Sequence, residues 1–302
     1  VFIWDSRLRS MFSDAFQKVS SYTRPVVTSI RMHDGTVFSD VATFIVLNED
    51  GWIMTAGHVF DHYTKYQTDT NKIKEIEELN ASRVAAGEPD HIIKPDEKSI
   101  VNHSFWWGWD GVHLVQAYVD RQLDIAVGKL EPFNPSWVHD YPVIIDPSKA
   151  RPGTSLCRLG YPFVDVSPSW DSNLNSFRIS KIPAKEALFP NEGIHTRTIK
   201  HGRCKNGNYD WVEVETSTPG MRGQSGGPIF DKEGRLYAMQ TKTHHMPLGF
   251  RPVVEYQGQN VVENQFLNVG IGLHASTIIQ LLDGRGVRYT LEGDETGYRI
   301  VG

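Results

Sequence analysis

Cysteine is nearly absent. Cys157 and Cys204 are the only two among 302 residues. They allow one bridge at most, so a scaffold built on disulfides is excluded. Two buried free thiols are expected, Cys157 lying in the apolar segment Ser155–Leu159. Basic charge is not in surplus either. Against 36 acidic residues stand 31 lysines and arginines, a net charge of −5, so no basic surface invites nucleic acid. Long apolar runs are missing too. Nothing approaches the ~18–20 consecutive apolar residues of a membrane span. Asp5, Arg7, Arg9 and Asp14 interrupt the first 16 residues, which therefore do not form a secretory signal. Few cysteines and no visible signal lead to an expected cytoplasmic location, with a periplasmic or secreted one as the alternative. No internal repeat or low-complexity tract is present.

What is there is a succession of short strand-like segments. Trp4, Leu8, Phe12 and Phe16 first recur at helical spacing, predicting an N-terminal helix that docks on the body of the protein. After Pro25 the period changes. Val26–Ile30, Thr43–Leu47, Trp52–Thr55, His113–Val119, Ile125–Leu130, Ser155–Gly160, Phe177–Ile182, Trp211–Glu215, Pro228–Phe230, Leu236–Thr241 and Phe266–Gly272 all carry strand patterns, with Gly, Asn and Asp between them. Residues 61–100 interrupt the rhythm with a charged, helix-spaced insertion on the surface. Ser276–Leu282 predicts a closing helix, stopped at Asp283-Gly284. Many strands and few helices predict an all-β sandwich or barrel.

Three segments carry chemistry: Thr55-Ala-Gly-His58 after an apolar strand, Asp124-Ile-Ala-Val127 at the head of another, and Gly223-Gln-Ser-Gly-Gly-Pro228 before a third. A serine hydroxyl is a weak nucleophile near pH 7 and needs a base within hydrogen-bond reach. Neutral imidazole suits that task. The imidazole in turn needs a carboxylate to fix its tautomer and stabilise its charged form. The developing oxyanion needs backbone N–H donors, which glycines around a serine can turn inward. His58, Asp124 and Ser225 supply these groups, in the chain order of one of the known convergent triads. Gly223, Gln224 and Ser225 are the expected oxyanion donors. His244-His245 has no third ligand at zinc spacing, so no metal and no cofactor are expected. The aromatic run Trp106-Trp107-Gly-Trp109 is expected to pack in a core, a surface patch being the alternative.

On these three segments the chain resembles the trypsin-like serine peptidase family. Asn48-Glu-Asp-Gly-Trp-Ile-Met-Thr55, Asp231–Thr241 and Val269–Ser276 are similar to the bacterial Deg/HtrA-like branch of it. The resemblance implies two six-stranded antiparallel β-barrels with the active site between them. An N-terminal helical segment (1–24), a first barrel carrying the insertion (25–140) and a second barrel with its closing helix and tail (141–302) are expected. No PDZ domain is expected after residue 285. Gln224 stands where digestive trypsins carry an Asp, so activation by insertion of a new N-terminus is not expected. The resemblance also implies that substrate adds as a strand along Met239, Gln240 and Thr241. The pocket wall would come from Pro219, Gly220, Met221 and Arg222, with Gln240 opposite. No carboxylate stands there to receive Arg or Lys. A small or apolar substrate side chain is expected, with Arg222 reaching an acidic substrate residue as the alternative. The implied function is a serine endopeptidase acting on protein or peptide. The alternatives are a latent protease awaiting a regulatory partner, working through the N-terminal helix, the 61–100 insertion or the loop 242–266, and a pseudoprotease that only binds peptides.

Overall fold

The computed structural model describes residues 11–88, 91–205, 207–262 and 265–294. Helix α1 (Ser13–Tyr22) runs straight into β1 (Thr23–Met32), followed by β2 (Val37–Val46), β3 (Trp52–Ala56), helix α2 (Asp61–Ala85), β4 (Ile100–Trp107), β5 (His113–Asp120) and β6 (Ile125–Glu131). The strands form one antiparallel sheet in the order β4-β1-β2-β3-β6-β5. The β2–β3 hairpin turns on Asn48, whose Oδ1 accepts from the Asp50 N–H at 3.0 Å, and on Gly51 at φ +82°. These strands bury Phe44, Ile45, Ile53, Met54, Ile125, Val127 and Leu130.

The second half contains β7 (Val143–Ile144), β8 (Ser155–Arg158), β9 (Pro168–Asp171), β10 (Ser176–Ile179), β11 (Asn191–Arg203), β12 (Asp210–Thr216), β13 (Pro228–Phe230), β14 (Arg235–Pro247), β15 (Val253–Tyr256), β16 (Gln259–Val262), β17 (Phe266–His274), helix α3 (Ala275–Asp283) and β18 (Thr290–Leu291). Because β13 pairs with both β8 and β14, the order β13-β8-β11-β12-β17-β14 closes on itself as a six-stranded ring. The short β7 adds parallel to β14, and β18 parallel to β7. These strands bury Leu156, Leu159, Val214, Ile229, Phe230, Met239 and Leu273. The first sheet, whose end strands β4 and β5 do not pair, is a curled half-barrel where a closed one was expected; the architecture is otherwise the expected all-β one of chymotrypsin type.

Segments outside the barrels tie one to the other. Phe12, just before α1, sets its ring edge-on to Phe230 of the second barrel, centroids 6.0 Å apart, and α1 buries Ala15, Val19 and Tyr22 before entering the first. After α3 the chain returns. The Arg288 carbonyl accepts from Asn48 Nδ2 at 2.8 Å, and its guanidinium pairs with Glu49 and Asp50 at 3.0 and 2.6 Å.

The insertion begins as α2, and Asp69 is its one fully buried residue, accepting from the Ile100 N–H at 2.7 Å. Leu79 and Val84 stay exposed. One expectation is corrected. The stretch 242–266 is not one loop: β14 runs on to Pro247, and β15 and β16 make a hairpin. The aromatic run closes β4 and packs against the core, as expected. Trp107 is buried against Phe44, Phe60 and Phe105, and Trp109 stacks on Trp137 at 5.1 Å. Trp4 and Leu8 of the predicted N-terminal stripe fall outside the described residues. Both cysteines are buried free thiols, and burial pushes Cys157 up to about 12.

Candidate active site

Register alone brings His58 and Asp124 together. β3 and β6 are hydrogen-bonded neighbours with Ala56 opposite Ile125, so the residues just past one strand and just before the other lie at the same edge. There the chain turns into a 3₁₀ segment, Gly57–Phe60. The Asp124 carboxylate takes the His58 ring: Nδ1 lies 2.9 Å from Oδ2 and 3.1 Å from Oδ1. Oδ1 also accepts the backbone N–H of His58 at 2.8 Å. Both the imidazole plane and its position on the chain are thus fixed by one carboxylate. Asp124 holds a left-handed backbone, φ 52°, a conformation that non-glycine residues occupy at a cost where function requires it. The hydrogen bond to Asp124 raises the His58 pKa above its usual 6.5, against the opposing effect of burial.

Ser225 is carried by a loop pinned from several sides. Thr43 of β2 does most of this. Its N–H donates to the Ser225 carbonyl at 2.9 Å, and its Oγ1 donates to the Gly223 carbonyl at 2.6 Å. Thr55 Oγ1 donates in turn to the Thr43 carbonyl at 2.7 Å. Gly226, at φ +82°, lies so close to that carbonyl and to Thr55 Oγ1 that a Cβ would collide with both. Gly223, at φ +94°, abuts the Tyr161 carbonyl in the same way. Any other residue would have to shift strand and loop together.

His58 and Ser225 line one open cleft of about 270 Å³, with Thr28, Val41, Asp61 and Arg222. A second cleft of about 380 Å³, walled by Phe38, Tyr161, Phe163 and Met221, shares Asp40, Val41, Arg222 and Gly223 with the first, so the two form one groove.

Several expected roles change. The Gln224 N–H is already bonded to the Met221 carbonyl at 2.9 Å and is not available to an oxyanion. Among the described residues no such partner occupies the N–H of Gly223 or Ser225. Gln224 instead knits the loop, its buried side chain accepting from the Met221 N–H at 3.0 Å and donating to the Phe189 carbonyl at 3.3 Å. Met239 is paired on both sides, with Pro228 and Leu273, and Gln240 exchanges backbone bonds with Gly226 and Gly227 at 2.8 Å. An added strand therefore cannot lie along Met239 and Gln240. Among the described residues the unpaired edge of β14 starts at Thr241. Arg222 does reach an acid, but a residue of its own chain: Nη2 lies 3.0 Å from Asp40 Oδ2 across the groove. The Pro219 carbonyl accepts from Arg158 at 2.6 Å and from Asn191 at 3.0 Å, and the Gly220 carbonyl from Thr243 at 2.7 Å. Among the described residues no cluster suited to a metal exists, and His245 bonds Asn268.

Thr43, Arg158 and Arg121 were not singled out by sequence. Arg121, in the turn before Asp124, donates to the Gly57 carbonyl at 3.1 Å and to Thr64 at 2.8 Å, and pairs with Asp61. It links the start of α2 to the edge that bears His58.

The trypsin-like peptidase domain matches residues 42–239, that is 198 of 302, a span containing all three segments. The chain belongs to the trypsin-like peptidase family. No curated protein matches it. Among solved structures it is similar to the HtrA-type protease AlgW with a tripeptide, at 14% identity and a TM-score of 0.46, covering 90% of this chain and 62% of that one. A variant of that protease with a decapeptide gives 12% and 0.46, covering 91% and 68%. The chain thus spans less than two thirds of the length of the first of these. No helix among the described residues is long and apolar enough to cross a membrane.

Proposed function

We propose that this trypsin-like peptidase is an endopeptidase in which Ser225 attacks the scissile carbonyl while His58 removes its proton. The observation that carries the reading is the Asp124 carboxylate bound to both the ring and the backbone N–H of His58, in the cleft that Ser225 also lines. Asp124 holds the His58 Nδ1 proton and leaves Nε2 as the base. The Ser225 Oγ–carbonyl bond forms as the proton passes to Nε2. The tetrahedral oxyanion is received by the N–H groups of Gly223 and Ser225. His58 then protonates the leaving amine, and the acyl-enzyme is released by water through the same groups. Substrate lies along the free edge of β14 from Thr241 onward, its leaving-group side in the groove between Asp40 and Arg222.

Intact-mass spectrometry after a fluorophosphonate tests this reading. One adduct on the wild type, absent from Ser225→Ala and His58→Ala, is expected. A folded wild type that takes no adduct would reject a constitutively active serine. Arg121 favours a regulated form of the same chemistry. A partner seated on α2 would pull on Asp61 and Thr64, and through Arg121 on Gly57 next to His58. In that case labelling rises when the partner is added.

A further inference from the structure

Arg158 sits at the end of β8 with 2% of its surface exposed. A guanidinium this deep loses its hydration without recompense unless an anion faces it. None does among the described residues. Nη1 donates to the carbonyls of Thr218 at 2.8 Å and Pro219 at 2.6 Å, and Nη2 donates to Thr216 Oγ1. All these partners are neutral. Burial draws the group down only to about 10, so it stays charged at neutral pH.

Five N–H donors in a planar fork are available to an arginine. Nη1 uses both of its own, and Nη2 uses one. Nε–H is buried without a partner. Two adjacent nitrogens, Nε and Nη2, therefore each keep one donor, the arrangement that meets a carboxylate in bidentate fashion. The place matters as much as the count. Arg158 grips the carbonyl of Pro219, the residue that opens the wall leading to Ser225. Nη2 fills the space a Cβ would take at Gly270 of β17, so only glycine there admits the guanidinium. Gly220 of the same wall makes room for the Gln240 side chain in the same manner, and Gln240 Oε1 is likewise buried without a partner.

We infer that Arg158 selects an acidic side chain, Glu or Asp, on the residue preceding the scissile bond. This rests on the reading of Ser225 as nucleophile and of Pro219–Arg222 as the pocket wall, and it replaces the small or apolar preference expected from sequence. A lysine or arginine brings a second cation against Arg158. An apolar side chain leaves the buried fork unmet. A carboxamide would satisfy donors and the Gln240 acceptor but not the charge, and it is the nearest competitor.

Two measurements decide the matter together. Unfolded casein is digested with the wild-type chain and its cleavage sites are mapped by mass spectrometry. In parallel, the Ser225→Ala chain is titrated calorimetrically with N-acetylated tetrapeptides that differ only in the last residue, Glu, Asp, Gln, Leu or Lys. Cleavage after Glu or Asp is expected, with tetrapeptides ending in them binding roughly 10–100-fold more tightly than the Gln form. Adding Arg158→Gln should erase that ratio. If that variant does not fold, the Glu-against-Gln ratio on the native pocket decides alone. Cleavage after Leu, Gln or Lys as readily as after Glu overturns the inference and leaves the protease standing. Acid-selective binding without any cleavage keeps the inference and rejects the constitutively active nucleophile. Neither cleavage nor acid-selective binding overturns both.

Discussion

The two barrels hold their contributions to the site by different means. The first places His58 and Asp124 at the ends of neighbouring strands, where sheet register fixes their separation. The second places Ser225 on a loop that no ladder specifies. Its shape comes from glycines at positive φ, from the side chain of Gln224, and from Thr43, which belongs to the other barrel. The pair on the first barrel is thus held by the barrel's own fold. The serine is placed only when both barrels are docked, and its geometry is the more easily lost.

That contrast can be broken in stages. The largest effect is expected from Asp124→Asn, which keeps shape but loses the carboxylate: kcat on a cleaved peptide should fall about 10³–10⁴-fold. The same variant tests the pH dependence. His58 must be neutral to act, and its pKa lies above 6.5 because of Asp124. The acid limb of the wild-type rate profile should therefore sit above pH 6.5, and without the carboxylate it should move down as burial prevails. By linkage, the stability that the raised pKa contributes is present below pH 6.5 and fades as pH rises through the folded value. Gly223→Ala comes next. Its Cβ strikes the Tyr161 carbonyl, and the displaced N–H should cost roughly 10²–10³-fold in kcat, with little loss of fluorescence-detected folding of the first barrel. Thr43→Val should lower labelling of Ser225 about tenfold by freeing the Gly223 carbonyl, at a cost of ~1–2 kcal/mol in a denaturant melt. If Thr43→Val labels as fast as wild type, the idea that one barrel positions the other's serine fails. The smallest effect is expected from Arg222→Ala. The exposed pair with Asp40 contributes about 0–1 kcal/mol, so stability should hardly change while cleavage-site preference on the leaving-group side shifts.

The sequence disclosed the triad candidates and most strands because both signals are local: a motif of a few residues, or apolar periodicity over a few more. It disclosed less where partners are distant. β11 escaped notice because it is polar along most of its length, with Gly193 and His195 as its buried positions. β4 was missed as a strand because its aromatic end showed core packing but no alternation of apolar and polar residues. Gln224 looked like an oxyanion donor until its N–H was found bonded to Met221 in a turn. Met239 looked like a docking edge because pairing on both its sides comes from β13 and β17, the latter more than twenty residues away. Arg158 was the least legible. A lone arginine in an apolar strand reads as solvent-facing, and only Gly270, over a hundred residues on, makes its inward course possible.

The crossed ties bear on how the molecule comes apart. Phe12 and α1 lie against the second barrel yet continue into the first strand of the first, and Arg288 leaves the second to grip the hairpin of the first. Pulling either barrel open tugs on a strand of its neighbour. Loss of order should therefore spread across the molecule as a single event, with no half-open species in which one barrel survives alone. A peptidase surrounded by copies of itself gains from this, because its chain offers few loosened stretches for another copy to cut.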